Sequence, residues 1–154
     1  MRRDRPRVAL AIRSFREGDA AAVTALWEEM FPDDRPWSSP ARYLERKRIV
    51  QPELLLVGAV DDRVVATVAG GYDGVRGWIY HLAVAPALRR QGFGTVMMAE
   101  AETRLAALGC PKVNLQVLAR NAQVVQFYRS IGYAAEERIS MGKVLVANPL
   151  PARR

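Results

Sequence analysis

Residues 89–95 combine two arginines with two glycines in the order Arg-Arg-Gln-Gly-Phe-Gly-Thr. The apolar run 78–84 precedes them and predicts a strand, and a helical pattern begins near Val96. The first backbone N–H groups of a helix have no partner inside it and lie at the positive end of its dipole. Loops of this kind bind anions, and phosphate groups in particular. We therefore expect a phosphorylated ligand at this loop.

The side chains of the loop favour the same interpretation. Gly92 and Gly94 let the backbone approach a ligand without a Cβ between them, and Arg89 and Arg90 add positive charge. Two common phosphate-binding motifs are excluded by the sequence. A P-loop would end in Gly-Lys-Ser or Gly-Lys-Thr, and the dinucleotide-binding fingerprint would have a third glycine where Met97 stands.

The pattern Arg-x-x-Gly-x-Gly, preceded by Leu-Ala-Val-Ala-Pro at 82–86, resembles the coenzyme A pyrophosphate loop of the GNAT family of N-acetyltransferases. The resemblance extends along the folded region and includes Asn121 and the closing motif Tyr128-x-x-x-Gly132-Tyr133. Other segments are similar to the bacterial acetyltransferases of the YpeA type, namely residues 35–37, 45–47, 70–74 and 109–112. The resemblance implies acetyl-CoA as the cofactor and direct transfer of the acetyl group, in a ternary complex, to a primary amine of a small molecule or peptide.

The resemblance also implies how the cofactor binds. The pantetheine arm would lie against strand 78–84 like an extra strand, and the pyrophosphate would take the amides of the loop. Tyr128 matches the family's proton donor to the departing thiolate, although a core aromatic residue is the alternative. Asn121 would contact the cofactor, or else serve only as a helix cap. The implied cofactor-binding residues are Leu82, Ala83, Val84, Arg89, Arg90, Gln91, Gly92, Phe93, Gly94, Thr95, Asn121 and Tyr128.

A general base is not evident from the sequence. Many members of the family carry a glutamate where this chain has Gln116, and others use glutamate or histidine at the positions of Trp78 and Tyr80. His81, the only histidine, is one residue out of phase and should face away from Tyr80 unless a β-bulge intervenes. Three alternatives remain open: His81 as the base, a packed histidine with no role, or a water relay past Tyr80 or Glu100.

The acceptor site is expected beside the first two helices, which are predicted at 19–30 and 41–50 with a break between them. In the family this region shapes the acceptor site. Trp37, Tyr43, Tyr72 and Tyr80 are the substrate-contact candidates, together with Arg46. The alternative is aromatic packing beside a solvated face formed by residues 46–48.

The predicted elements define an α+β fold. A meander of three antiparallel strands should span 54–84, and one parallel βαβ crossover should follow it. We expect a single domain over 1–154, with a central mixed sheet, helices on both faces and flexible tails at 1–6 and 150–154. The predicted strands are 8–15, 54–60, 63–72, 78–84, 112–118 and 135–146. The two later helices are predicted at 95–108 and 121–132. The first of these should carry Met98, Ala101, Leu105 and Leu108 on one face.

The composition limits the class of protein. The chain has 154 residues, half of them apolar, which suffices for one domain with a sizeable core. Its apolar runs are far shorter than the ~20 residues of a membrane span, and no signal-peptide pattern follows Met1. We expect a cytoplasmic protein with no membrane partner. The single cysteine, Cys110, excludes an internal disulfide and a cysteine-rich metal site, so no metal is expected.

The formal net charge of +7 raises the question of nucleic-acid binding. The terminal clusters at 2–5 and 153–154 carry more than half of this excess, and no basic stripe, zinc-ligand spacing or helix-turn-helix pattern is present. We therefore expect no nucleic-acid partner, although a basic binding module remains one functional alternative. The other is a non-catalytic acyl-CoA-binding or regulatory domain, which the missing carboxylate base suggests. The sequence leaves the oligomeric state open, and because dimers are common in the family, a homodimer is one candidate.

Overall fold

In the part of the chain that the structure describes, five strands form one sheet, in which each strand lies beside the next one in chain order. The structure is a computed structural model that describes residues 8–32 and 35–146. The first four strands pair antiparallel with their neighbours, and β4 pairs parallel with β5. The predicted meander and the predicted parallel crossover are therefore both confirmed. The strands are β1 (Ala11–Ser14), β2 (Leu55–Val60), β3 (Arg63–Tyr72), β4 (Gly77–Val84) and β5 (Val113–Leu115).

Four α-helices of the described residues cover the two faces of the sheet, and helices on both faces were predicted. They are α1 (Ala20–Met30), α2 (Pro40–Lys47), α3 (Phe93–Ala107) and α4 (Ala122–Ser130). The helix pair α1 and α2 packs on one face of the sheet, and α3 and α4 pack on the other. In α1 the buried residues Val23, Leu26 and Trp27 recur at helical spacing, so burial of this stripe against the sheet holds the helix in place.

The helix α3 differs in detail from its prediction. Met98, Ala101 and Leu105 are buried as expected, but Leu108 follows the end of the helix and is 49% exposed. Its predicted place in the core is therefore wrong. The helix ends there because Gly109 has a φ of +86°, a conformation that favours glycine and stops helices.

The last predicted strand is not formed. Residues 135–146 have no regular secondary structure, and Ile139, Met141 and Leu145 are 86–91% exposed. Side chains hold this segment beside β5 in place of a backbone ladder, since Glu136 accepts a hydrogen bond from the Asn114 amide and pairs with Lys112. An apolar pattern predicts a strand only where a neighbour supplies hydrogen bonds, so the prediction fails here. The tails predicted at 1–6 and 150–154 lie outside the described residues.

A β-bulge interrupts the pairing of β3 with β4. Ala69 pairs with Tyr80 and Thr67 pairs with Ala83, which leaves one residue of β3 opposite two of β4. His81 lies in this bulge with a φ of +52°. Its ring faces α1 and α2, as Tyr80 also does. The alternation that should turn His81 away from Tyr80 therefore fails, because the bulge adds one residue to β4.

A buried hydroxyl group fixes the bulge. Thr67 on β3 has no exposed surface; its Oγ1 accepts a hydrogen bond from Trp27 Nε1 at 2.8 Å and donates one to the His81 carbonyl oxygen at 2.9 Å. The Thr67 side chain thus joins α1, β3 and the bulge through two hydrogen bonds. Such a link in a low-dielectric interior ties the position of α1 to the backbone of β4.

We expect Thr67→Val to lower the free energy of unfolding by about 1–3 kcal/mol, because the variant keeps the shape but removes both hydrogen bonds. Urea denaturation followed by Trp fluorescence measures this loss. Thr103→Val is the matched control, since the exposed Thr103 hydroxyl bonds only the Ala99 carbonyl of its own helix. The control should change stability by less than about 0.5 kcal/mol. Equal losses in the two variants would contradict a special role for Thr67.

Candidate active site

The predicted anion-binding loop forms the start of α3. Gly92 is the N-cap residue, and the first hydrogen bond into the helix runs from Val96 N to Gly92 O at 3.2 Å. Within residues 8–32 and 35–146, the amides of Phe93, Gly94 and Thr95 donate no hydrogen bond to another backbone group. Three adjacent N–H groups are therefore available at the positive end of the helix dipole. This arrangement fits a pyrophosphate group.

The two glycines of the loop have different structural roles. Gly92 has a φ of +80°, and a Cβ built there would meet no atom within 4 Å. Gly94 has ordinary helical geometry, but a Cβ there would lie 3.2 Å from Cζ of Phe127 on α4. Gly92 thus permits the turn, whereas Gly94 lets α4 pack closely against the start of α3. The close packing brings the helix that carries Tyr128 to the loop.

The arginines flank the same turn. Arg89 and Arg90 are both exposed, and Arg89 Nη2 lies 3.0 Å from Met30 Sδ at the end of α1. Arg90 has a φ of +62°, so the left-handed backbone begins before the glycines. The exposed Gln91 follows it. Two guanidinium groups beside the free amides add full positive charge to the partial charge of the helix end.

The strand β4 has an uncovered edge next to this loop. Its pairing with β5 covers only Gly77, Trp78 and Ile79, although β4 continues to Val84. In the part of the chain that the structure describes, no strand lies beside β4 on that side after Ile79. Such an edge offers backbone N–H and C=O groups to an extended ligand. From the end of this edge at Val84 the chain passes through a short helical turn, Pro86–Leu88, to the loop at 89–95.

The side chains of this part of β4 divide between the two faces. Leu82 and Val84 pack with the core under α3 and α4, and Ala83 is buried under α1 and α2. A ligand along the edge would therefore use the backbone of these residues, as the resemblance implied. Their apolar side chains anchor the strand in both cores.

Tyr128 lies on α4, with its ring 5.1 Å from that of Phe127 and 5.6 Å from that of Tyr133. Burial raises the pKa of its phenol to about 12, so the hydroxyl keeps its proton at neutral pH. Asn121 stands at the N-cap of α4, but its side chain makes no cap hydrogen bond. Helix capping therefore does not account for the asparagine, whose exposed amide is available to a ligand.

His81 is packed among aromatic rings. The ring centroids of Trp27, Phe31 and Tyr43 lie 4.5, 4.9 and 4.4 Å from that of the imidazole. These contacts involve α1, α2 and the turn after α1, so His81 links both helices to the bulge. The packing gives His81 a structural role that needs no proton transfer.

The other base candidates are also accounted for. The amide of Gln116 donates to the Ser140 hydroxyl. Glu100 on α3 accepts from Arg104 at 2.9 Å, and Arg104 also bonds Ser14 on β1, at the opposite edge of the sheet from β5. Glu100 is therefore remote from the β4 edge. No described carboxylate occupies the position of a general base beside that edge.

A cavity of about 210 Å³ lies between α2 and the sheet, on the same face as His81. Tyr43 and Tyr80 line it together with Arg46, so the structure brings three of the acceptor candidates together. Tyr72 belongs to the other face, where it packs with the core under α3. Trp37 lies in a short turn before α2, and its carbonyl oxygen accepts a hydrogen bond from Arg46.

Two residues of this region were not found by sequence reasoning. Thr67 fixes the bulge, and its signal is a single hydroxyl in the otherwise apolar run 64–69 of a central strand. Lys47 also lines the cavity and is only 9% exposed, contrary to the solvated face considered for residues 46–48. Its signal is helical spacing, because Lys47 follows the buried Leu44 by three residues.

Comparison with known sequences and structures identifies the family. A sequence model of the acetyltransferase (GNAT) family matches residues 20–133. The chain belongs to the GNAT acetyltransferase family. It is therefore an acetyl-CoA-dependent acyltransferase, and the loop at the start of α3 has the amides and charges that suit this cofactor.

Curated relatives agree with this assignment. A protein named acetyltransferase from Yersinia enterocolitica is 39% identical over 141 residues, covering 90% of this chain and 98% of the relative. Another acetyltransferase, from Pectobacterium atrosepticum, is 40% identical over 139 residues, covering 89% and 96% of the two chains.

Solved structures show the same fold. Ard1 from Thermoplasma volcanium superposes with a TM-score of 0.74 at 26% identity, covering 82% of this chain and 84% of its own. An aminoglycoside N-acetyltransferase in complex with CoA gives a TM-score of 0.71 at 15% identity, covering 90% and 96% of the two chains. The described helices of this GNAT protein include none that is long and apolar enough to cross a membrane.

We expect Gly92→Val to weaken coenzyme A binding about tenfold or more, because a β-branched residue at positive φ is strained by ~1–2 kcal/mol and the adjoining amides must move. Isothermal titration with coenzyme A measures the change. Gly74→Val is the matched control, since Gly74 has a φ of +90°, equally open surroundings and a place in the β3–β4 turn. Undiminished affinity in Gly92→Val, or an equal loss in both variants, would contradict the assignment of the loop.

Proposed function

We propose that this protein transfers an acetyl group from acetyl-CoA directly to a primary amine of a small molecule or peptide, within a ternary complex. The observation that supports the proposal is the uncovered edge of β4, which runs from Tyr80 in the cavity wall to Val84, shortly before the loop that opens α3. Cofactor and acceptor would thus meet at the bulge. Bringing two reactants together in this way supplies a large part of a catalysed rate.

The cofactor-binding residues would act mainly through the backbone. The amides of residues 91–95 would hold the pyrophosphate, with Arg89 and Arg90 beside it, and backbone groups of Leu82 and Val84 would hold the pantetheine arm. A backbone N–H of β4 would polarise the thioester carbonyl, since a fixed donor stabilises charge that develops on oxygen. Asn121 would add a side-chain contact from the start of α4.

When bound, acetyl-CoA supplies the acetyl thioester, so that a C–N bond to the acceptor forms and the C–S bond breaks. Tyr128 would donate its phenolic proton to the departing sulfur and later regain one from water. Because burial raises the pKa of Tyr128 to about 12, the phenol is protonated throughout the neutral range. This makes it a dependable hydrogen-bond donor but a weak acid, consistent with a role that depends on proximity.

The acceptor amine would lose its proton to water and not to a dedicated side chain. His81 is held among three aromatic rings, and Gln116 is bonded to Ser140. Neither arrangement directs a base toward the β4 edge. Tyr80, 49% exposed beside the cavity, would border the path by which water removes the proton.

A non-catalytic acyl-CoA-binding domain is the second candidate, and the same lack of a base favours it. The two functions differ in turnover. Release of free thiol from acetyl-CoA in the presence of a panel of amines and peptides supports the transferase. Tight coenzyme A binding with no thiol release from any amine or peptide would favour the binding domain.

We expect Tyr128→Phe to lower kcat about 10²-fold, because it removes the proton donor but keeps the ring. Coenzyme A affinity should stay nearly unchanged. The assay is thiol release at saturating substrates, combined with calorimetric titration. Tyr133→Phe is the matched control, since the Tyr133 hydroxyl bonds Glu102 at 3.2 Å. Parallel losses of affinity and rate in Tyr128→Phe would make Tyr128 a packing residue instead.

We expect kcat/KM to climb steadily to about pH 8.5, since an amine of pKa ~10 is increasingly neutral as the pH rises. His81→Asn should show the same profile and lose less than about tenfold, because asparagine tolerates the positive φ and does not titrate. The measurement is kcat/KM from pH 6 to 9.5. A break near the ordinary imidazole pKa of ~6.5 in the parent, absent from a variant that loses a hundredfold, would identify His81 as the base.

A further inference from the structure

We propose that the acceptor carries a carboxylate as well as its amine, and that Arg46 and Lys47 bind this carboxylate in the cavity beneath α2. The inference rests on the proposed function and specifies its substrate class as small amino acids with a free carboxylate. The cavity adjoins β4 through Tyr80, the residue immediately before the bulge. A carboxylate bound there would leave the amine of the same molecule free to reach the β4 edge.

The two cations that line the cavity have donors to spare. Lys47 Nζ donates to the Gly70 carbonyl oxygen at 2.6 Å, which uses one of its three N–H groups. Arg46 donates to the Trp37 carbonyl oxygen, which uses one of five. Both acceptors are neutral carbonyl groups, so both positive charges lack a counter-ion among the described residues. An anionic ligand would supply one.

Gln51, a further polar side chain of the cavity, already has hydrogen-bond partners. The side-chain amide of Gln51 donates to the Tyr72 carbonyl oxygen at 2.9 Å and accepts from the Tyr72 N–H at 2.8 Å. Gln51 therefore supports the wall of the cavity and offers little to a ligand. The remaining donors are those of Arg46 and Lys47, together with the hydroxyl groups of Tyr43 and Tyr80.

No described carboxylate lines this cavity. Glu53 is the acidic neighbour that acts on Lys47, and it is exposed outside the cavity. Asp73 acts on Tyr80, but its carboxylate accepts the N–H groups of Val75 and Arg76 in the β3–β4 turn. The electrostatic balance of the cavity is therefore positive, which opposes a polycationic acceptor and favours an anionic one.

Burial lowers the pKa of the Lys47 ammonium, with Glu53 acting in the opposite direction. An anion placed beside Lys47 would favour its charged form, and the attraction between the two charges is screened less in a buried site than at the surface. Arg46 presents a planar guanidinium group whose paired donors suit a carboxylate. The volume of the cavity, about 210 Å³, is smaller than the ~300–1,000 Å³ usual for drug-sized ligands. Tyr43 and Tyr80 supply apolar walls.

The test compares matched product-like probes that need no turnover. N-acetyl-alanine, N-acetyl-leucine and N-acetyl-phenylalanine are titrated into the full chain with coenzyme A present, each beside its primary amide. N-acetylputrescine serves as the cationic probe. We expect at least one acid to bind tenfold or more tightly than its amide, and the cation to bind most weakly. If no acid binds more tightly than its amide, or if the cation binds most tightly of all the probes, the proposal is overturned.

Variants of α2 locate the carboxylate. Arg46→Gln should reduce the preference for acid over amide to within threefold, and Arg46→Lys should restore part of it. Arg42→Gln is the matched control, because it removes the same charge from the same helix but Arg42 pairs with Glu45 and does not line the cavity. A preference that survives in Arg46→Gln, or falls equally in Arg42→Gln, would overturn the assignment.

Thiol release with the corresponding free amines separates this inference from the proposed function. Transfer to amino acids and their amides at equal kcat/KM would leave the transferase intact and overturn the carboxylate site. Selective binding of the acids without thiol release from any amine would support the carboxylate site and remove the transferase. Selective transfer to the free acids, lost in Arg46→Gln, would support both.

Discussion

The active region depends on one buried hydrogen-bonded link, from the Trp27 indole through the Thr67 hydroxyl to the carbonyl of His81. This link holds the bulge in β4, and the parallel pairing with β5 ends at Ile79, two residues before it. The bulge thus coincides with the point where the two strands separate. Because the link also fixes α1, the helix that covers the acceptor face and the strand edge that would receive the cofactor are positioned together.

The two glycines of the loop at the start of α3 have different structural roles. Its positive-φ turn at Gly92 exposes the amides, whereas the small size of Gly94 admits Phe127 and so sets the distance between α3 and α4. Tyr128 follows Phe127 directly, and its packing position therefore depends on a glycine of the loop. A glycine pattern that indicates a ligand contact can therefore also reflect helix packing. Here the first explanation fits Gly92 and the second fits Gly94.

Much of this architecture was predictable because local patterns agree with the fold. The Asp61-Asp62 turn adopts positive φ at both residues, as a two-residue hairpin requires, and the α1 stripe of Val23, Leu26 and Trp27 is buried as its spacing indicates. Three features depend on contacts distant in sequence and were not fixed by local pattern: the bulge, the burial of Lys47, and the missing strand at 135–146. Each is decided by a partner strand or helix that the local sequence does not reveal.

The bulge amounts to one extra residue in β4, as a comparison of the strand with and without His81 shows. With His81 omitted, Ile79, Tyr80, Leu82 and Ala83 would still alternate between the two cores, as a regular strand demands. His81 is therefore an insertion that the two hydrophobic cores do not need. A chain one residue shorter could keep the same cores and a regular ladder between β3 and β4. The extra residue interrupts the ladder with β3 just after the ladder with β5 has ended, so that β4 is irregular on one side where it is unpaired on the other.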